Sequence, residues 1–199
     1  MSVTKGAGRR WGARRIAALA VLALAGCVGE PRPEPDAGPR RIAVMAPAAA
    51  ETLALLGAAD RVVAVGDWVT WPPELAARPA LGAYDAPSPE RLLELEVDTL
   101  ITAASVAGRR ERAEIARLGI RVVELDTSTF EGTLGAIEEL GALVGRQERA
   151  AELVASIRAR LAGIGRRAGA AAPRRVLVVV GREPLYVAGP GSHVDELVR

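Results

Sequence analysis

The sequence predicts an α/β protein: a parallel sheet covered by helices, then one long helix, then the opening elements of a second α/β lobe. Three observations carry that expectation. Short apolar runs at 42–46, 61–65, 99–102 and 120–125 alternate with helical segments at 48–56, 88–95, 109–118 and 130–144. This is the texture of a parallel sheet buried on both faces. A helical pattern then runs through 146–164, with Ala150, Leu153, Val154, Ile157, Leu161 and Ile164 at helical spacing. Finally, three of the six aromatic residues sit in one Pro- and Gly-containing connection, 65–88, rather than in the periodic segments.

The chain opens on a targeting segment, residues 1–26. Arg9, Arg10, Arg14 and Arg15 form a basic stretch, and 16–25 is an apolar run of ten residues, too short to span a bilayer as a helix. It ends in Leu24-Ala25-Gly26-Cys27, which resembles a bacterial lipobox, and Cys27 is the only cysteine. The expectation is a lipid-anchored mature chain beginning at Cys27, with no disulfide. Residues 27–40 follow as a Pro-rich tether. Residues 1–26 hold five cations and no acid, so 21 basic residues face 24 acidic ones in the remainder. The high pI therefore comes largely from the leader and implies no nucleic-acid partner.

The elements of the first lobe, 41–145, each have a local reason. The run 42–46 stops at Pro47, and Gly57 suits the residue just past a helix end. Ser88 and Pro89 are a helix N-cap and first helical residue, with Leu92, Leu93 and Leu95 behind them. Gly119 closes the helix at 109–118, and 126–129 is a capping loop into the next helix. Gly145 separates that helix from the long one at 146–165, which Gly163, Gly165 and Gly169 should end. A strand at 175–180, a Gly-rich turn and a helix start at His193 make up 174–199. These elements are too few to bury a core of their own, so the chain is expected to stop inside its second lobe. In a parallel sheet ligands bind beyond the carboxyl ends of the strands. Trp68, Trp71, Tyr84, Phe130 and Tyr186 mostly follow strands, which places them on that edge.

Other chemistries lack their residues. There is one His and one Cys, no motif around Ser128 for a triad, and no phosphate-cradling Gly-rich loop. A divalent-metal site would want several His with Asp or Glu. The expectation is no enzyme and no resident metal or cofactor.

Several runs resemble the substrate-binding proteins of cobalamin, haem and ferric-siderophore ABC importers, most closely the vitamin-B12-binding branch. They are Arg41-Ile42-Ala43-Val44-Met45-Ala46-Pro47 with Glu51-Thr52-Leu53, Trp68 and Trp71-Pro72-Pro73, and Gly82 with Pro87-Ser88-Pro89-Glu90. Glu96-Val97-Asp98-Thr99-Leu100-Ile101, Leu118-Gly119-Ile120-Arg121-Val122 and Ala188-Gly189-Pro190-Gly191-Ser192 continue the match. The resemblance covers about 41–199. It implies a Rossmann-like lobe joined by a single long helix to a second lobe, with a corrinoid between them. It further implies a monomer on the periplasmic side of a membrane, partnered by importer permease and ATPase subunits. By position, Trp68, Trp71, Tyr84 and Tyr186 are ligand-facing rings, and Glu90 docks onto permease arginines. Flat rings suit a macrocycle because they bury area at low entropy cost. Ala103, Ala104 and Ser105 stand where the branch often has another ring, which widens the pocket or changes the ligand. Haem would draw on Tyr84, Tyr186 or His193 as an axial ligand. A ferric siderophore would draw on Arg109, Arg110 and Arg182, although a solvated face is the plainer reading of the first two.

Overall fold

The apolar runs become four parallel strands: β1 (Ile42–Val44), β2 (Val62–Val65), β3 (Thr99–Ala103) and β4 (Arg121–Leu125), in the spatial order β2-β1-β3-β4. The computed structural model describes residues 38–83, 86–104, 108–169, 172 and 175–198. The leader, Cys27 and most of the tether lie outside them, as do Tyr84 and Ser105. β1 and most of β3 are fully buried, as the unbroken runs of Ile, Val and Leu require of a sheet covered on both sides.

Two apolar layers cover the sheet. On one face Ile42, Val44 and Ile101 pack against α1 (Pro47–Leu55), α5 (Phe130–Leu143) and α6 (Gln147–Ala168). On the other, Ala43, Met45 and Leu100 pack against Leu92 of α3 (Pro89–Glu94) and Ile115 of α4 (Arg109–Arg117). The alternation of β1 between the two layers follows from the two-residue period of a strand. Local punctuation works as its chemistry dictates. Gly57 takes φ +73° just past α1, and Gly145 takes φ +69° in the turn between α5 and α6. Ser88 caps α3 by accepting from the Arg91 amide at 3.2 Å, and Thr129 caps α5 by accepting from the Gly132 amide at 2.9 Å.

Two boundaries differ from the sequence reading. The helix α6 passes through Gly163 and Gly165 and ends at Gly169. A glycine in a helix costs only about 1 kcal/mol, and Arg166 and Arg167 in the last turn complement the helix dipole. At 1.5 Å per residue it is about 33 Å long. The strand expected at 175–180 is instead β5 (Val179–Arg182), paired antiparallel with β6 (Leu185–Val187). The turn Glu183-Pro184 folds the chain back at once, so the pairing starts later and spans the turn. A short helix α7 (His193–Val198) follows and returns to the start of α5. There the His193 amide donates to the Ser128 carbonyl at 3.1 Å, and Glu196 accepts from the Phe130 amide at 2.6 Å.

Candidate functional site: a crevice at the end of β1 and β3

The strand order builds a switch point. From β1 the chain enters α1 on one face of the sheet, and β3 leads to α4 on the other. Loops that part in this way leave a crevice beyond the carboxyl ends of the strands. A cavity of about 380 Å³ lies there. Met45 and Ala46 line it from the end of β1, Pro47 from the first turn of α1, Thr102 and Ala103 from the end of β3, and Trp68 from the loop after β2. The Met45 amide donates to the Ile101 carbonyl at 2.8 Å, which carries the β1–β3 pairing one residue past β1.

The loop that brings Trp68 in is held by its aliphatic residues. Val69, Leu75 and Leu81 are buried. The Gly66 amide donates to the Val44 carbonyl at 2.8 Å and the Asp67 amide to the Gly82 carbonyl at 3.1 Å. A Cβ on Gly66 would lie 3.0 Å from the Met45 carbonyl oxygen, so a side chain there would press on the backbone just past β1, and glycine lets the loop start this close without that strain. A short helix, α2 (Pro73–Ala76), forms inside the loop. The rings stay out: Trp68 is 68 % and Trp71 60 % exposed. A loop that buries its small aliphatic residues and exposes its indoles presents a contact surface.

The other sequence candidates are spread out. Trp71 shares the loop but is absent from the described cavity lining. Tyr186 is 62 % exposed on β6, its ring against Gly181. It belongs to the hairpin rather than to the parallel sheet, so following a strand in sequence does not put it on the sheet edge. Phe130 is partly buried against the core. Arg109, Arg110 and Arg182 are exposed, and Arg110 pairs with Glu114 at 3.2 Å within α4, a solvated helix face. His193 is exposed at the start of α7. Glu90 is exposed near the start of α3, but its carboxylate is not free, since it accepts from the Ser88 hydroxyl at 2.9 Å. Its own backbone amide first, and then that hydroxyl, hold it below the usual carboxylate range. Among the described residues no three of His, Cys, Asp and Glu come together as a metal site. No helix among them is long and apolar enough to cross a membrane.

Sequence reasoning missed Met45, Ala46, Pro47 and Thr102 as cavity walls. The signal for the first three was an apolar run ending at a helix-starting Pro, and for Thr102 the end of the run at 99–102; both acquire meaning only once β1 and β3 are known to be neighbours.

Residues 42–199 match the family model described as periplasmic binding protein. The chain belongs to the periplasmic binding protein family. This is a family of binding proteins, not enzymes. Among relatives, the vitamin B12-binding protein of Pectobacterium atrosepticum is 22 % identical over 165 residues, which is 80 % of this chain and 59 % of the relative. That of Pectobacterium carotovorum is 26 % identical over the same shares. The chain thus spans about three fifths of the length of these relatives. Among solved structures, the periplasmic vitamin B12 binding protein of Vibrio cholerae superposes with a TM-score of 0.71 at 23 % identity, covering 81 % of this chain and 64 % of that one. A periplasmic haem-binding protein of Pseudomonas aeruginosa gives 0.71 at 25 % identity, covering 79 % and 59 %. The parallel α/β architecture is therefore that of the family.

Proposed function

We propose that this chain captures a corrinoid outside the cytoplasm and hands it to an ABC importer. The observation that carries the reading is the apolar crevice at the β1–β3 switch point with Trp68 beside it. Apolar walls and an exposed indole suit the face of a large planar ligand. The vitamin B12-binding relatives point the same way. In this reading Trp68, Trp71, Tyr84 and Tyr186 are ligand-facing rings. The first lobe is 41–145, the connecting helix 146–165, and 174–199 the start of a second lobe. Glu90 meets permease arginines, and Cys27 carries the lipid that keeps the protein at the periplasmic face of a membrane. A second reading, haem, is favoured by the likeness to the haem-binding structure.

The test is a titration of the purified protein with cyanocobalamin and with haemin, followed by absorbance and tryptophan fluorescence. Cyanocobalamin should bind, and Trp68→Ala should weaken it by about 1–3 kcal/mol, the range for a buried aromatic contact. Absence of binding by either macrocycle would sink the reading. For Glu90→Ala, affinity should hold while uptake through a reconstituted importer falls, because removing one partner of a desolvated charge contact weakens docking. Equal uptake by variant and wild type leaves Glu90 with its role at the start of α3 alone.

A further inference from the structure

Trp68 reaches the crevice from a strand that does not border it. The crevice lies beyond β1 and β3, whereas the loop that holds Trp68 leaves β2, and β1 stands between β2 and β3 in the sheet. The chain must therefore cross the end of β1, and Gly66 is where it crosses. The Gly66 amide carries the β1–β2 pairing onward by donating to the Val44 carbonyl at 2.8 Å. Its carbonyl accepts from the Val69 amide at 3.0 Å, which closes a four-residue turn with Trp68 in its third position. The Asp67 amide ties that turn to Gly82, and Val69 enters the core directly after it. A Cβ on Gly66 would stand 3.0 Å from the Met45 carbonyl oxygen and 3.2 Å from both Cα and Cε of Met45. Met45 is itself a wall of the crevice.

We infer that Gly66 is a positioning residue for ligand binding: its bare backbone sets where the Trp68 indole stands over the crevice, and it acts on affinity through that ring. The inference rests on the macrocycle-binding reading above and deepens it. Relative stiffness decides the direction of the effect. With a side chain at position 66, either Met45 or the turn has to give by a few tenths of an ångström. Met45 is fully buried, and its amide donates to the Ile101 carbonyl at 2.8 Å, so its backbone belongs to the central pairing of the sheet. Asp67 and Trp68 are exposed, with no packing to resist a shift. The turn is the side that yields, and the indole moves with it. Contact energy is sensitive to such a shift, since a gap of about 0.5–1 Å already forfeits a quarter to a half of the dispersion well.

Four proteins test this: wild type, Gly66→Val, Trp68→Ala and the double variant. Each is titrated with cyanocobalamin and with haemin, and the macrocycle that wild type binds is the probe. Gly66→Val should weaken binding about tenfold while Trp68 is present, a large part of what the ring contributes. In the Trp68→Ala background the same substitution should change affinity by less than about twofold, because the group it acts through is gone. An equal loss in both backgrounds overturns the inference, since a merely structural role damages the lobe with or without the ring. An unchanged affinity in both overturns it as well. A second measurement guards against a Gly66→Val protein that folds poorly. Amide hydrogen exchange at Val69, whose N–H closes the turn, should slow about tenfold when wild type is saturated with the probe, and should not slow in saturated Trp68→Ala. Equal protection in the two proteins, or protection in neither, overturns the inference. Binding of neither macrocycle by wild type removes the functional reading and this inference together, whereas binding without coupling between positions 66 and 68 removes this inference alone.

Discussion

Glu131 and Arg158 show how a single pair joins two helices at the residue scale. Arg158 of α6 meets both carboxylate oxygens of Glu131 in the first turn of α5, with Nη1 at 2.7 Å from Oε1. The hydrogen bond from Arg158 holds the Glu131 carboxyl below its usual range, and Glu131 in turn raises Arg158. A depressed carboxyl contributes stability that is present above its unfolded pKa and lost as pH falls through its folded one. Thermal melting from about pH 6 to about pH 3 should therefore show wild type losing ground below the ordinary carboxylate range. Glu131→Gln should lose less over that window, and added salt should narrow the gap because both groups are in water. Identical acid limbs would show that the pair is energetically silent. Residue-scale features of this kind were only partly legible. The caps Ser88 and Thr129 could be read from the chain because a cap bonds within three residues. The Arg158 contact spans 27 residues, and no local pattern announces it.

At the scale of elements, the contact between α5 and α6 depends on Gly141. It is buried, and a Cβ there would collide with the Cβ of Ala150 and lie 3.2 Å from the Arg146 carbonyl oxygen. Gly135, in the same helix, is exposed with open space where a Cβ would go. The two glycines should therefore respond with opposite signs. Gly135→Ala should stabilise by up to about 1 kcal/mol through helix propensity. Gly141→Ala gains the same propensity but overpacks a tight helix crossing at about 1–3 kcal/mol, so a net loss is expected. Chemical denaturation of the two variants checks this, and stabilisation by both would mean that α6 shifts freely along α5. The existence of both helices was evident from apolar spacing. Their distance was not, because a glycine in a helical pattern reads the same whether it faces water or a neighbour.

At the scale of the whole molecule, the leader and the sheet are separate statements about one chain. The lipobox-like run ending at Cys27 calls for a membrane-held protein, and the family calls for a periplasmic binder. In bacterial fractions the wild type should sediment with membranes, and Cys27→Ser should move to the soluble fraction with ligand affinity intact. A soluble wild type removes the anchor without touching the binding reading, since residues 42–199 carry the family match.

The sequence by itself determined the alternation of strands and helices, the helix caps and the loop rich in rings. Each of these is written in side-chain period or in neighbours a few residues apart. Only the tertiary structure decided the strand order β2-β1-β3-β4, and with it which strand ends meet. It also turned the expected strand after residue 174 into the antiparallel pair β5 and β6, and it left Tyr186 on that hairpin while Trp68 lines the crevice. Thr102 became a wall of the site for the same reason. Strand pairing joins residues some fifty-seven positions apart, as Ile42 and Thr99 show, and that choice is made by the packing of the whole sheet.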